Sequence, residues 1–153
     1  MVAEDAGLVL QIFADGIATG HATFRAAPPT WEEFDAGHLA APRLVAEHGG
    51  VVAGWAALTP VSGACAYTGV AEVSVYVAAD ARGRGVGQSL LTALVLETEA
   101  AGIWTLQASA FPENRNSLAL ARPRGLSHRR SRRTHRVDDL RTLRGPLARH
   151  PAS

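Results

Sequence analysis

The sequence predicts a mixed α/β fold, and three observations carry that expectation. Stretches with apolar residues at helical spacing alternate with short β-branched runs. Glycine, proline and small polar residues punctuate the runs. The 153 residues, 47% of them hydrophobic, are enough for one domain with its own core.

Along the chain, Asp5 is placed to cap a first helix whose apolar positions Leu8, Ile12, Phe13 and Ile17 recur at helical spacing and which ends near Gly20. Pro28, Pro29 and Thr30 announce a shorter helix from Trp31 to Leu39. Segments 43–47 and 51–58 flank Gly49 and Gly50, which reads as a hairpin. Residues 70–77 form a strand, 86–101 a long helix, 103–110 another strand, and Asn114 opens a last helix toward Leu120. No internal repeat is visible.

Composition narrows the function classes. No apolar run is long enough to cross a bilayer, and Met1-Val2-Ala3-Glu4-Asp5 lacks the basic start of a signal peptide, so the expected address is cytoplasmic with no membrane partner. The single cysteine, Cys65, has no internal disulfide partner and reads as a buried or loop thiol rather than a nucleophile. No His, Cys or Asp cluster suggests a metal. The net charge of +1 conceals a division: residues 1–120 carry 5 Arg against 12 Asp and Glu, and residues 121–153 carry 10 Arg against 2 Asp. The tail also lacks aromatic residues and has few branched aliphatics, so it offers little to a core. The expected organisation is therefore a body of residues 1–120 and an Arg-rich, disordered tail of residues 121–153.

The densest chemistry lies between Glu72 and Gln88. A strand, Glu72-Val73-Ser74-Val75-Tyr76-Val77, leads through a short loop into Arg82-Gly83-Arg84-Gly85-Val86-Gly87-Gln88 at the head of an apolar helix. Glycines let the backbone approach a ligand closely, and a helix start directs unpaired N–H groups and a positive dipole end at it; both suit a pyrophosphate. A dinucleotide fold would place such glycines directly after the first strand of a βαβ unit, with an acidic residue roughly 20 positions on, and that context is missing. A P-loop needs lysine, and this chain has none. Alone, three alternate glycines also fit an ordinary turn before a helix.

The arrangement Arg/Gln-x-x-Gly-x-Gly after a β-branched strand resembles the acetyl-CoA loop of the GCN5-related N-acetyltransferases (GNAT). Ala22-Thr23-Phe24, Trp31-Glu32-Glu33-Phe34, the strand from Glu72 to Val77, and Pro112-Glu113-Asn114-Arg115-Asn116-Ser117-Leu118 follow in the order and spacing of the branch that acetylates phosphinothricin and methionine sulfoximine. The resemblance covers most of residues 5–120. It implies a mixed, mostly antiparallel sheet flanked by helices, direct acetyl transfer from acetyl-CoA to a small amino-acid-like amine, and a homodimer.

Residue by residue, the resemblance makes Glu72 the general base, since a primary ammonium must lose a proton before attacking a thioester. Its ordinary alternative is a solvent-facing strand residue. Val75, Tyr76 and Val77, otherwise half-buried strand, would lend backbone groups to the pantetheine amides, with an N–H near Val75 for the oxyanion. Gly83, Arg84, Gly85, Val86, Gly87 and Gln88 would hold the pyrophosphate, Arg82 and Arg84 adding charge, although exposed arginines are ordinarily just solvated. Asn114 and Ser117 read first as helix-cap residues and by resemblance as coenzyme contacts. Phe24 and Tyr67 would line the amine pocket unless they are simply core.

Two departures qualify the match. The strand that usually precedes the first helix looks clipped or absent, because only Met1 to Glu4 come before it. After Leu120 the family continues with His, a short helical run and Gly-Phe, whereas this chain gives Ala121-Arg122-Pro123-Arg124-Gly125-Leu126. Codons permitted for Leu120 to Arg130, with the first base of the Ala121 codon removed, read Leu-His-Ala-Arg-Ala-Gly-Phe-Arg-Thr-Val-Gly, which is the family's continuation. Residues 121–153 are accordingly read as out of frame, and the last strands of the sheet are expected to be missing. Two other readings stay open: an acetyl-CoA-binding pseudoenzyme that has lost turnover, and a protein whose basic tail binds nucleic acid. The lack of lysine and of aromatic residues in the tail disfavours the second.

Overall fold

The structure is a computed structural model and describes residues 1–61, 69–110, 113–121, 127–130 and 141–146. A single 3-10 turn, Ala3–Asp5, precedes helix α1 (Ala6–Ala18), and helix α2 (Trp31–Gly37) follows. Strands β1 (Leu44–His48), β2 (Val51–Pro60) and β3 (Val70–Val77) come next, then a 3-10 turn at Ala79–Ala81, helix α3 (Val86–Ala100), strand β4 (Thr105–Ala110), helix α4 (Arg115–Ala121), and strands β5 (Ser127–Arg130) and β6 (Arg141–Pro146). The sheet runs β1-β2-β3-β4-β6-β5. β3 and β4 are parallel and every other pair is antiparallel, so the mixed, mostly antiparallel sheet flanked by helices is as expected.

Local chemistry explains most of the boundaries. Thr30 accepts from the Glu33 N–H while the Glu33 carboxylate accepts from the Thr30 N–H, a reciprocal cap that starts α2 two residues after the prolines. Gly49 and Gly50 have φ of 59° and 78°, the left-handed pair a two-residue hairpin needs to match the twist of β1 and β2. At α1, Asp5 stands at the cap position, but its carboxylate accepts from the Val2 N–H at 2.7 Å instead of capping the helix. The element before α1 is thus a turn held by Asp5 and not a strand.

The sheet has a helical layer on each face. On one face Val9, Ile12 and Phe13 of α1 and Phe34 of α2 pack on Val52, Trp55 and Ala57 of β2. Phe34 stacks between Trp31 and His38, with centroids 5.3 and 4.1 Å away, and sets its edge against Trp55. On the other face Leu90 and Leu94 of α3 pack on Ala56, Leu58, Ala71 and Leu106. β2 alternates between the two layers, which is why Val52 to Leu58 is buried throughout.

The last strands are present, contrary to expectation. β6 pairs with β4 from Thr105–Pro146 to Ala110–Arg141, and β5 pairs with β6. The physical reason is that the free edge of β4 offers a row of N–H and C=O groups that a partner backbone satisfies whatever its side chains, so a composition poor in core-forming residues does not forbid pairing. The rest of residues 122–153 lies outside the described residues, as do Cys65 and Tyr67.

Candidate functional site

β3 and β4 share only three pairs, Val70–Thr105, Ala71–Leu106 and Glu72–Gln107. Beyond Glu72 the two strands part: β3 continues to Val77 against β2, while Ala108 to Ala110 of β4 go to β6. The result is a wedge in the middle of the sheet, opening toward the C-terminal end of β3.

Hydrogen-bond alternation decides which backbone groups face that wedge. Ala78 donates to the Ala53 carbonyl at 2.9 Å, which in the β2–β3 register makes Tyr76–Trp55, Ser74–Ala57 and Glu72–Thr59 the bonded pairs. The N–H and C=O of Val75 and Val77 therefore turn away from β2, toward the wedge. Arg82 confirms this direction, donating from Nε to the Val77 carbonyl at 3.2 Å. Of the three strand residues expected to lend backbone groups, Val75 and Val77 are placed to do so, and the Tyr76 backbone faces β2.

Side chains alternate the other way. Val73 and Val75 join the α3 layer, and Tyr76 joins the α1 layer against Phe13 and Trp55, its ring stacked 4.7 Å from that of Trp55. Glu72 shares the Tyr76 face by strand alternation, half-buried at the last β3–β4 pair, with Thr59 and Gln107 directly beside it on the neighbouring strands. Among the described residues no cation pairs with the Glu72 carboxylate.

The glycine turn stands at the mouth of the wedge. Gly83 and Gly85 have φ of 74° and 81°, a region that penalises any residue with a Cβ, and a Cβ at either would meet nothing within 4 Å. Gly85 occupies the cap position of α3 without a side-chain cap, so the amides of Val86, Gly87 and Gln88 are offered outward. Gly83, Arg84 and Gly85 are exposed, and Val86 to Gln88 are half-buried. The turn is held by its neighbours: a Cβ on Gly87 would sit 3.4 Å from both Val77 and Leu120, tying the first turn of α3 to the end of β3 and to α4. These residues fit a pyrophosphate, with open space, unpaired donors and arginines alongside.

Gly54, which sequence reasoning passed over, seats α3. A Cβ there would lie 2.8 Å from the Tyr76 carbonyl and 3.2 Å from Val86 and Leu90, so only glycine lets the head of α3 settle against β2. A lone glycine inside a strand pattern was the available signal.

Asn114 is a cap residue, as its sequence position suggests: Oδ1 accepts from the Ser117 N–H at 3.1 Å at the start of α4. Its Nδ2 donates to the His21 carbonyl, also at 3.1 Å, across 93 residues of chain. Ser117 takes part through its backbone. Phe24 is exposed, on the segment between α1 and α2. Next to it, the Ala22 carbonyl accepts from the Tyr76 hydroxyl at 3.4 Å. Burial pushes the Tyr76 phenol up to about 12 against the opposing pull of Thr23 and Arg25. Burial also lowers His38, whose Nδ1 lies 2.7 Å from the Phe34 carbonyl. The described residues include no cluster of three or more His, Cys, Asp or Glu able to hold a metal, and no helix long and apolar enough to cross a membrane.

Comparison with known proteins converges on one family. The profile described as Acetyltransferase (GNAT) family matches residues 5–126. The chain is 34% identical over 125 residues to a phosphinothricin N-acetyltransferase of Alcaligenes faecalis, covering 76% of this chain and 61% of that protein. The chain thus spans about three fifths of that relative's length. Among solved structures, a GNAT superfamily phosphinothricin acetyltransferase from Sinorhizobium meliloti, in complex with acetyl-CoA, superposes with a TM-score of 0.83 at 28% identity, over 96% of this chain and 85% of that one. An N-acetyltransferase from Staphylococcus aureus Mu50 superposes with a TM-score of 0.83 at 28% identity, over 97% and 96%. With the parted strands, the glycine turn and these matches in agreement, the chain belongs to the GNAT acetyltransferase family.

Proposed function

We propose that this protein is an N-acetyltransferase that moves the acetyl group of acetyl-CoA to the primary amine of a small amino-acid-like acceptor of the phosphinothricin or methionine sulfoximine type. The observation that carries the reading is the parting of β3 from β4 after Glu72–Gln107, which exposes the Val75 backbone beside an uncapped helix start. The likeness to phosphinothricin acetyltransferases of two bacteria supports the acceptor class.

In this reading the amides of Val86, Gly87 and Gln88 and the Gly83–Gly85 turn hold the pyrophosphate, with Arg84 adding charge. Val75 and Val77 pair with the amide groups of the pantetheine arm, as a further strand would. Acetyl-CoA supplies an activated thioester when bound. Glu72 takes a proton from the acceptor ammonium, directly or through water, and the freed amine attacks the thioester carbonyl. The Val75 N–H faces the carbonyl oxygen as negative charge develops on it. The thiolate leaves and takes up the amine's second proton, directly or through water, so that the amide and free coenzyme A thiol form together. Asn114 and Ser117 flank the same opening from α4. Phe24 and Tyr67 are assigned to the acceptor side.

The test is release of free coenzyme A thiol from purified protein supplied with acetyl-CoA and a panel of primary amines. Saturable release with phosphinothricin or methionine sulfoximine, lowered about 100-fold in Glu72→Gln with acetyl-CoA binding retained, is the expected result. Turnover unchanged in Glu72→Gln would remove Glu72 from the mechanism.

A further inference from the structure

Two hydrogen bonds tie the segment that follows α1 to both sides of the opening between β3 and β4. The Ala22 carbonyl of that segment is held by the Tyr76 hydroxyl, on the β3 wall. The His21 carbonyl, one residue earlier, is held by Asn114 Nδ2, on the α4 side that follows β4. Local turns stiffen the chain on either side of these fastenings: Thr19 Oγ1 donates to the Gly16 carbonyl at 2.7 Å, and the N–H groups of His21 and Arg25 donate to the hydroxyls of Thr19 and Thr23. Phe24 follows closely after the fastened residues.

We propose that Asn114 is a positioning residue for the acceptor, acting through His21: its amide fastens the His21–Phe24 segment across the opening and so fixes one wall of the amine pocket. This rests on the functional reading above and adds a role on the acceptor side to a residue otherwise expected only on the coenzyme side. One side chain then serves two ends. Its oxygen orders α4, and its nitrogen orders a segment 93 residues away in sequence. The two duties are chemically separable, because an acceptor alone can cap a helix but cannot reach the His21 carbonyl as a donor.

Asn114→Asp and Asn114→Ser both keep a cap acceptor for the Ser117 N–H and lose the Nδ2 donor to His21, since aspartate has no donor and the serine hydroxyl, one bond shorter, is committed to the cap. Either variant should fold with a melting temperature close to that of the parent. The acceptor KM should rise about threefold to tenfold, the worth of one hydrogen bond, while the acetyl-CoA KM stays within about twofold. Backbone amides of residues 19–25 should exchange faster with deuterium in both variants. An unchanged acceptor KM, or a loss confined to the acetyl-CoA KM, would overturn the proposal and leave Asn114 a coenzyme contact or a plain cap. If the parent protein acetylates no amine, the functional reading falls by itself. The exchange measurement still decides the fastening, which unchanged protection at residues 19–25 in both variants would refute.

Discussion

Gly16 and Tyr76 are in direct contact: a Cβ on Gly16 would lie 2.7 Å from two ring carbons of Tyr76. Helix α1 thus meets β3 with bare backbone against an aromatic face, and the ring is confined by Phe13 and Trp55 behind it. Alanine at position 16 gains about 1 kcal/mol of helix propensity but overpacks a ring that cannot retreat, at a cost of about 1–3 kcal/mol. The clash wins. Gly16→Ala should lower Tm by a few degrees, and Gly16→Ala with Tyr76→Leu should lose less than the two single changes added together.

At the glycine turn the strain is in the backbone. Gly85 has φ of 81° and opens onto free space, so Gly85→Ala meets no atom yet forces a Cβ into the left-handed region, at about 1–2 kcal/mol. The helix start then shifts to relieve it. Isothermal titration should show acetyl-CoA affinity reduced about tenfold, with Tm lowered by a few degrees; tight binding retained would mean the turn does not hold the coenzyme.

Titration behaviour follows from burial. Tyr76 is raised to about 12 from an ordinary 10, so the folded state keeps its proton while the unfolded chain begins to lose it. The associated stability is complete below about pH 10 and disappears as pH rises toward 12. In a Tyr67→Phe background, absorbance titration should show no phenolate signal until well above pH 10. His38 runs oppositely: its pKa is lowered, so stability is complete above the ordinary histidine value and falls as pH drops through it toward the folded value. His38→Gln should flatten the acid limb of a Tm against pH curve.

Residues 121–153 invite a genetic measurement. Sequencing the coding DNA across codons 120–153 should reveal one extra base beside codon 121, restoring a histidine and a Gly-Phe pair downstream. An unbroken frame would mean that this Arg-rich segment is the native partner of β4. The family match ending at residue 126 lies close to the point where the composition changes.

The glycine turn at the head of α3 and the order of helices and strands up to Leu120 were legible in the sequence, because each depends on contacts a few residues apart. Amphipathic spacing selects helix or strand, paired glycines select a hairpin, and Thr30 with Glu33 closes a cap within one turn. Whether Tyr76 or its neighbours Val75 and Val77 turned their backbones to the wedge was not legible, since that depends on the β2–β3 register. Nor were the last strands, because strand pairing at an edge is a backbone property that composition does not report. The contacts of Gly16 with Tyr76, of Gly54 with Val86 and of Asn114 with His21 likewise needed the folded chain. The sequence by itself determined the elements up to Leu120, through short-range sterics, capping and periodicity. Tertiary structure alone decided where β3 leaves β4 and which backbone groups face the gap, because those outcomes rest on groups distant in sequence that meet only when two helical layers close on one sheet.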